Sequence, residues 1–229
     1  MDDQRRQKLA ATVAALLAKA ASSEFEDEAR LFEAKAMELM ARYQIEEAEL
    51  RRPDQVEFGV VEIDVSHFGN AQTGAAHVVW GVYKLFGGFA VVQTVDRRMS
   101  MRVSATDDVH AIARPLVDHL MGQMMADIVR DRPRSRKSYS VGWFGRMYER
   151  LEAAHTETYA EVGALVPTTD AAERHYVERY GRTARHSLRV DQRDYQAGGV
   201  RGSQADLGQS RVANTRRALR AGGDGGGRR

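Results

Sequence analysis

Residues 16–50, LLAKAASSEFEDEARLFEAKAMELMARYQIEEAEL, decide how this chain begins to fold. Upstream of the two serines, the spacing predicts a helix over about Gln4 to Ala21. Leu9, Val13, Leu16 and Leu17 fall on one face, Ala20 extends it, and Arg5, Arg6, Lys8 and Lys19 lie mostly elsewhere. Ser22 and Ser23 interrupt that helix. Ser23 with Glu26 fits a capping box, in which the hydroxyl takes an orphan amide of the next helix and the carboxylate reaches back. Glu24, Glu26, Asp27 and Glu28 then set negative charge at the positive end of the second helix dipole. The second helix runs to about Tyr43 with an apolar stripe of Phe25, Ala29, Phe32, Ala36, Leu39, Met40 and Tyr43, and Lys35 and Arg42 fall towards its end. Two amphipathic helices joined by so short a turn lie antiparallel and pack their stripes together. Ile45 to Leu50 reads as one further turn of helix, and Arg51-Arg52-Pro53-Asp54 ends the unit.

Beyond Asp54 the period changes. Val56 to Asp64 is rich in β-branched residues and reads as a strand. A polar, Gly-containing stretch, Gly69 to Gly74, leads into a helix over Ala75 to Phe86, with Val78, Val79, Val82 and Phe86 at helical spacing, stopped by Gly87-Gly88. Phe89 to Val95 is a second strand. Asp96-Arg97-Arg98 makes a tight turn, and Met99, Met101 and Val103 alternate as a third strand, so the last two form a hairpin. Thr106-Asp107-Asp108 caps a long helix whose stripe is Val109, Ile112, Leu116, Leu120, Met124 and Ile128. Pro115 lies inside it and is expected to bend or split it, because proline removes one backbone bond. Arg130 to Lys137 reads as an Arg-dense linker. A helix follows over about Ser138 to Val162, with Trp143, Met147, Leu151 and Ala154 on one face, and then a short polar helix over Ala171–Tyr180. From Arg182 the pattern is weak, and Gly222–Arg229 has the composition of a disordered end.

The fold class predicted is α+β and mostly helical: an N-terminal α-hairpin, a small three-stranded sheet packed by long helices, and a basic C-terminus, helical then disordered. The divisions expected are residues 1–52, 55–165 and 166–229.

Composition narrows the functional classes. There is no Cys among the 229 residues, which excludes a disulfide framework, a Cys nucleophile and thiolate metal sites. No apolar run is long enough to cross a bilayer. The N-terminal MDDQRRQKLAA lacks the apolar region of a signal peptide. The expectation is a soluble, cytoplasmic protein. The net charge of +2 conceals a split. Residues 130–229 carry 20 Lys+Arg against 12 Asp+Glu, a balance of +8, and residues 1–129 carry 14 against 20, a balance of −6. Nearly all the C-terminal basic residues are Arg. An acidic body with a basic end is a common arrangement in nucleic-acid-binding proteins, and also the outcome of ordinary solvated Arg-rich helices.

Leu16-Leu17-Ala18-Lys19-Ala20, Glu26 and Glu28-Ala29, and Ala34-Lys35-Ala36 followed by Glu38-Leu39-Met40-Ala41, Tyr43 and Ile45 together resemble the domain of unknown function 2786. The resemblance covers about the first fifty residues. The stretches YKLFGGFAVV, GWFGRMYERL and YQAGGVRGSQADLGQSRVANTRRAL look more loosely like the domain that often follows it in phage proteins. The resemblance implies a phage- or bacterium-associated protein, and the family supplies no catalytic residue to carry over.

Few constellations point to chemistry. Asp107, Asp108, His110, Asp118 and His119 gather on one helix, but no H-E-x-x-H is present, and Asp107 and Asp108 stand where capping residues belong. His67, His77, His155, His175 and His186 are scattered. Gly198-Gly199-Val200-Arg201-Gly202-Ser203 lacks the phosphate-loop pattern and follows no strand. Small residues there suit close packing or a flexible segment, and a helix built on them needs a partner to hold it, since Gly costs about 1 kcal/mol relative to Ala. No catalytic residue, metal ligand or cofactor is assigned.

The basic set stands above background. Arg130, Arg132, Arg134, Arg136 and Lys137 form a dense patch. Arg182, Arg185, Arg189 and Arg193 recur at three- or four-residue spacing and would line one face of a helix, and Arg211, Arg216 and Arg217 continue the theme. Arg forks match phosphate oxygens and give affinity without sequence readout. Tyr176, Tyr180 and Tyr195 lie among them as candidate stacking platforms, while Glu178, Asp191 and Asp194 are candidate partners for the arginines. The leading expectation is non-catalytic, sequence-nonspecific association with DNA or RNA. An adaptor or host-factor binder using the N-terminal hairpin is the alternative, and a metal-dependent hydrolase at Asp107, Asp108 and His110 the third. No membrane partner is expected.

Overall fold

The structure is a computed structural model that describes residues 3–23, 25–50, 56–96, 98–161, 168–183 and 188–205. Helices α1 (Asp3–Ser22) and α2 (Glu26–Leu50) form the hairpin. Val13, Leu17 and Ala20 of α1 and Ala36, Met40 and Tyr43 of α2 are buried, as their spacing requires. Two details differ from expectation. Phe25 precedes the first helical residue; its carbonyl accepts the Ala29 amide at 3.0 Å, but its side chain does not join the buried stripe and is 70% exposed. And α2 continues unbroken through Leu50, since no Gly or Pro interrupts residues 43–50. At the turn, Ser23 Oγ accepts the Phe25 amide at 3.2 Å and lies 2.7 Å from the Glu28 carboxylate.

Strands β1 (Gly59–Asp64), β2 (Phe89–Val95) and β3 (Arg98–Ala105) make an antiparallel sheet in the order β1-β3-β2. Ala90 pairs with Val103 in the hairpin, and Ile63 pairs with Met101 across β1 and β3. Ile63, Ala90, Met101 and Val103 are all buried, on the face covered by α3 (Gln72–Leu85). Alternation sends Phe89, Arg102 and Ser104 to the opposite face. There α6 (Asp170–Tyr180) covers them: Tyr176 lies 5.5 Å from Phe89, Tyr180 lies under Arg102 at 5.0 Å, and His175 Nδ1 is 2.9 Å from Ser104 Oγ. A 3-10 segment, Ser66–Ala71, leads into α3, kinked at Gly69 (φ 55°). Gly87 (φ 81°) closes the far end of α3, a conformation that glycine adopts without steric cost.

Helix α4 (Asp107–Asp131) starts on Thr106, whose hydroxyl accepts the Val109 amide. Pro115 does not split it. The loss of one backbone bond is outweighed by the burial of Ile112, Leu116, Leu120, Met124 and Ile128 on both sides of the proline. Helix α5 (Arg136–Glu161) buries Trp143, Met147 and Leu151. The basic stretch is therefore not one linker. Arg130 belongs to α4, Arg136 and Lys137 open α5, and only residues 132–135 connect the two, with Arg132 in the left-handed region as the α4 cap (φ 47°).

The C-terminal region is helical, as expected, and the structure shows what holds it. Residues 192–204 form a regular helix, α7 (Gln192–Gln204), packed closely against α5. Gly142, Gly198 and Gly202 allow the two backbones to touch. A Cβ on these residues would come within 1.9 Å of Tyr195 O, 2.0 Å of Tyr139 O and 2.0 Å of Trp143 O respectively. The Arg201 guanidinium then bridges to both Asp131 oxygens at 2.8 and 2.9 Å. Gly222–Arg229, expected to be disordered, lies outside the described residues.

One buried cluster spans the molecule, from Val13, Met40 and Tyr43 in the hairpin to the sheet and α3–α5. The hairpin is tied to the start of α4 by Arg6, whose Nε lies 2.8 Å from Asp108 Oδ1, with Tyr43 Oη at 3.4 Å from the same oxygen. Among the described residues no helix is long and apolar enough to cross a membrane.

Candidate functional site

Arg134, Arg136 and Lys137 line a cleft of about 480 Å³ with Asn70, Gln72, Thr73, Pro133 and Ser135. The cleft exists because α3 and α5 cross at their first turns. Gly74 admits Ser140, and a Cβ at that glycine would come within 2.3 Å of the serine's own Cβ. The crossing sets the first turn of α3 beside the first turn of α5. Neither helix has an acidic residue in its first turn, and α3 has no side-chain cap. Helix N-termini carry positive partial charge, so Arg136 and Lys137 stand at the unfavourable end of α5. Such a local conflict is expected at functional positions.

Of the neighbouring acids, Asp194 sets its carboxylate at the α5 N-cap, on the Ser135 amide, but none pairs with Arg136 or Lys137 among the described residues. Asp131 holds Arg201 and accepts the Tyr139 hydroxyl at 2.6 Å. Those two bonds, Arg201 first, hold its carboxyl well below the usual carboxylate range. Burial, then the Asp131 carboxylate beside it, keeps the Tyr139 phenol protonated far above its ordinary range. Asp127 accepts the Trp143 indole N–H at 2.8 Å and pairs with Arg130. Asp194 accepts the Ser135 amide at 2.7 Å, and Asp191 caps α7 by accepting the Asp194 amide at 3.0 Å. Asp191 and Asp194 thus bind backbone, not arginine. Among the described residues Arg132, Arg134, Arg136 and Lys137 have no carboxylate within ion-pair distance.

The other basic positions separate from this group to different degrees. Arg130 is engaged with Asp127 and Asp131. Arg182 and Arg189 lie exposed in irregular chain and Arg193 lies exposed on α7, so the expected single helical face is not formed. The Asp191 amide donates to Ser138 Oγ at 2.7 Å, which places the start of α7, with Arg189 and Arg193, next to the start of α5. Arg185, Arg211, Arg216 and Arg217 lie outside the described residues. Of the tyrosines, Tyr176 is buried against the sheet, Tyr195 packs into the α5–α7 seam, and Tyr180 is exposed.

The remaining constellations have structural roles. Asp108 binds Arg6, and His110 Nδ1 lies 3.2 Å from Tyr83 Oη. Among the described residues no group of three or more His, Asp or Glu is placed to hold a metal ion. The Gly-rich stretch is the packing face of α7. Of the α2 apolar stripe, on which an adaptor reading leaned, Ala36, Met40 and Tyr43 are buried in the shared core, Ala29, Phe32 and Leu39 are half-buried, and Phe25, with Leu31 beside it, is exposed near the turn. Asn70, Gln72 and Thr73 were not singled out by sequence, where residues 69–74 read only as the polar start of a helix. Their place beside Arg134 depends on the Gly74–Ser140 crossing, which no local pattern announces.

Residues 8–47 match the family model described as Protein of unknown function (DUF2786). The match spans the body of the α1–α2 hairpin and none of the cleft. No curated protein and no solved structure matches the chain.

Proposed function

We propose that this protein associates with nucleic acid, without catalysis and without sequence readout, by holding backbone phosphates in the α3–α5 cleft. The observation that carries the reading is that Arg134, Arg136 and Lys137, which have no acidic partner among the described residues, share one cleft with the start of α3, which has no side-chain cap. Guanidinium and ammonium groups supply the charge, and Asn70, Gln72 and Thr73 supply polar contacts. Arg132, Arg189 and Arg193 extend the positive surface outward. The centre of the interface is therefore the α4–α5 junction, with the later arginines as its margin.

The reading is tested by fluorescence anisotropy with labelled DNA and RNA oligonucleotides. Arg134→Ala/Arg136→Ala/Lys137→Ala is expected to weaken binding about tenfold or more. Arg182→Ala/Arg189→Ala/Arg193→Ala is expected to weaken it less. Equal affinity of the first variant and the unmodified chain contradicts the proposal.

A further inference from the structure

Beyond the cleft, an aromatic seam runs along the same two helices. Thr73, His77, Trp80 and Lys84 are spaced by four, three and four residues and so share one face of α3. Ser140, Phe144 and Tyr148 share the facing side of α5. The rings interleave: His77 lies 5.4 Å from Phe144, Trp80 lies 6.2 Å from Phe144 and 5.8 Å from Tyr148, and Lys84 Nζ sits 5.1 Å over the Trp80 ring. Gly81 makes the interleaving possible, since a Cβ there would come within 2.7 Å of both the Phe144 and the Tyr148 rings. Trp80 remains 36% exposed, whereas Trp143, the second tryptophan, is fully buried. At 1.5 Å per residue, Thr73 to Lys84 spans about 16 Å, room for a few nucleotides of extended strand.

We infer that the ligand of this surface is single-stranded nucleic acid, with phosphates in the cleft and a base stacked at Trp80. The inference rests on the cationic-cleft reading above. Exposed aromatic rings flanked by cations take unpaired bases of any sequence, whereas the bases of a duplex are held inside the stack and do not reach such a surface. Lys84 is exposed; a base taking its place over Trp80 frees the ammonium for a neighbouring phosphate. A cationic cleft alone would bind duplex and single strand alike. The seam is what distinguishes them.

The test uses the full chain with a short oligo-dT or oligo-U strand and a duplex of equal length, following anisotropy and tryptophan fluorescence in the same titration. Trp143 is buried and bonded to Asp127, so a base-induced signal reports on Trp80. The inference predicts that the single strand binds at least several-fold more tightly than the duplex and quenches fluorescence in step with anisotropy. Trp80→Ala should weaken single-strand binding by about 5- to 100-fold, Trp80→Phe should restore most of the affinity, and both should lack the quench. A melting curve on each variant shows that it is folded. Equal binding of strand and duplex without quenching, or an unchanged quench in Trp80→Phe, overturns the single-strand inference and leaves the cleft reading standing. Absence of any binding at low salt overturns both.

Discussion

Gly74 of α3 lies so close to Ser140 of α5 that a methyl group on the glycine would approach the serine Cβ to 2.3 Å. This contact joins the start of α3, which carries Gln72 and Thr73, to the start of α5, which carries Arg136 and Lys137. Gly74→Ala should therefore force the helices apart, at a cost of about 1–3 kcal/mol from overpacking, and should reduce oligonucleotide affinity as well. Ser140→Gly in the same chain should recover part of both losses. Urea unfolding and anisotropy on the single and double variants check this, and a fully stable Gly74→Ala protein would contradict it.

Docking of α7 depends on backbone approach, because the atoms opposing Gly198 and Gly202 are the carbonyl oxygens of Tyr139 and Trp143. Carbonyls of a packed helix cannot rotate aside as a side chain can. Gly198→Ala and Gly202→Ala are each expected to destabilise α7 by about 2–3 kcal/mol or more. Hydrogen exchange should show rapid exchange of the 192–204 amides in the variants and protection in the unmodified chain. Protection retained in both variants would rule out this packing.

The hairpin is held to the body through Arg6 and Asp108, whose side chains are 21% and 6% exposed. Arg6→Ala leaves a largely buried carboxylate short of its charged partner and should cost about 1–3 kcal/mol. Asp108→Asn should cost less, since the amide oxygen still accepts from Arg6 and Tyr43. Chemical denaturation measures both, and the double variant shows whether the two losses are coupled.

Acid should weaken the fold through His155. Its ring is buried between Phe86 and Tyr159, at 5.3 and 4.5 Å, and neither nitrogen has a hydrogen-bond partner among the described residues. Burial pushes its pKa down from 6.5 to about 4. Between those values the unfolded chain binds the proton and the folded chain does not. This contribution is complete above about pH 6.5, falls as the pH drops towards 4, and levels off below, for a total of roughly 3 kcal/mol. His77 and His110 are shifted in the same direction, burial being the largest cause in each, so His155→Leu should flatten the stability profile over pH 6.5–4 without removing its slope. Unfolding curves across that range test this; identical profiles would contradict it.

Much of the fold is legible in the sequence wherever the cause is local. Periodicity places α1 and α2, Gly87 ends α3, Phe89 to Val95 alternates as a strand, and Thr106 caps α4. Proline at 115 and glycines at 198 and 202 weaken a helix locally, and tertiary packing overrides them: the first through an apolar stripe on both sides, the others through close contact with the α5 backbone at Tyr139 and Trp143. Spacing alone puts Phe25 on the stripe, but the helix begins one residue later. The dense basic stretch was legible as charge. That Arg132, Arg134, Arg136 and Lys137 have no acidic partner among the described residues was not, because that depends on where Asp127, Asp131 and Asp194 make their bonds, one of them to Arg201, seventy residues away. The polar half of the cleft is a product of the α3–α5 crossing alone.

The central claim is that phosphate contacts in the α3–α5 cleft drive association, and the most direct measurement is the salt dependence of oligonucleotide affinity. For the unmodified chain the logarithm of the binding constant should fall linearly with the logarithm of salt concentration. For a single strand the slope is about −0.7 per phosphate contacted, so Arg134→Ala/Arg136→Ala/Lys137→Ala should make it shallower by about 2. A salt-independent affinity, or a slope unchanged in that variant, would contradict the account.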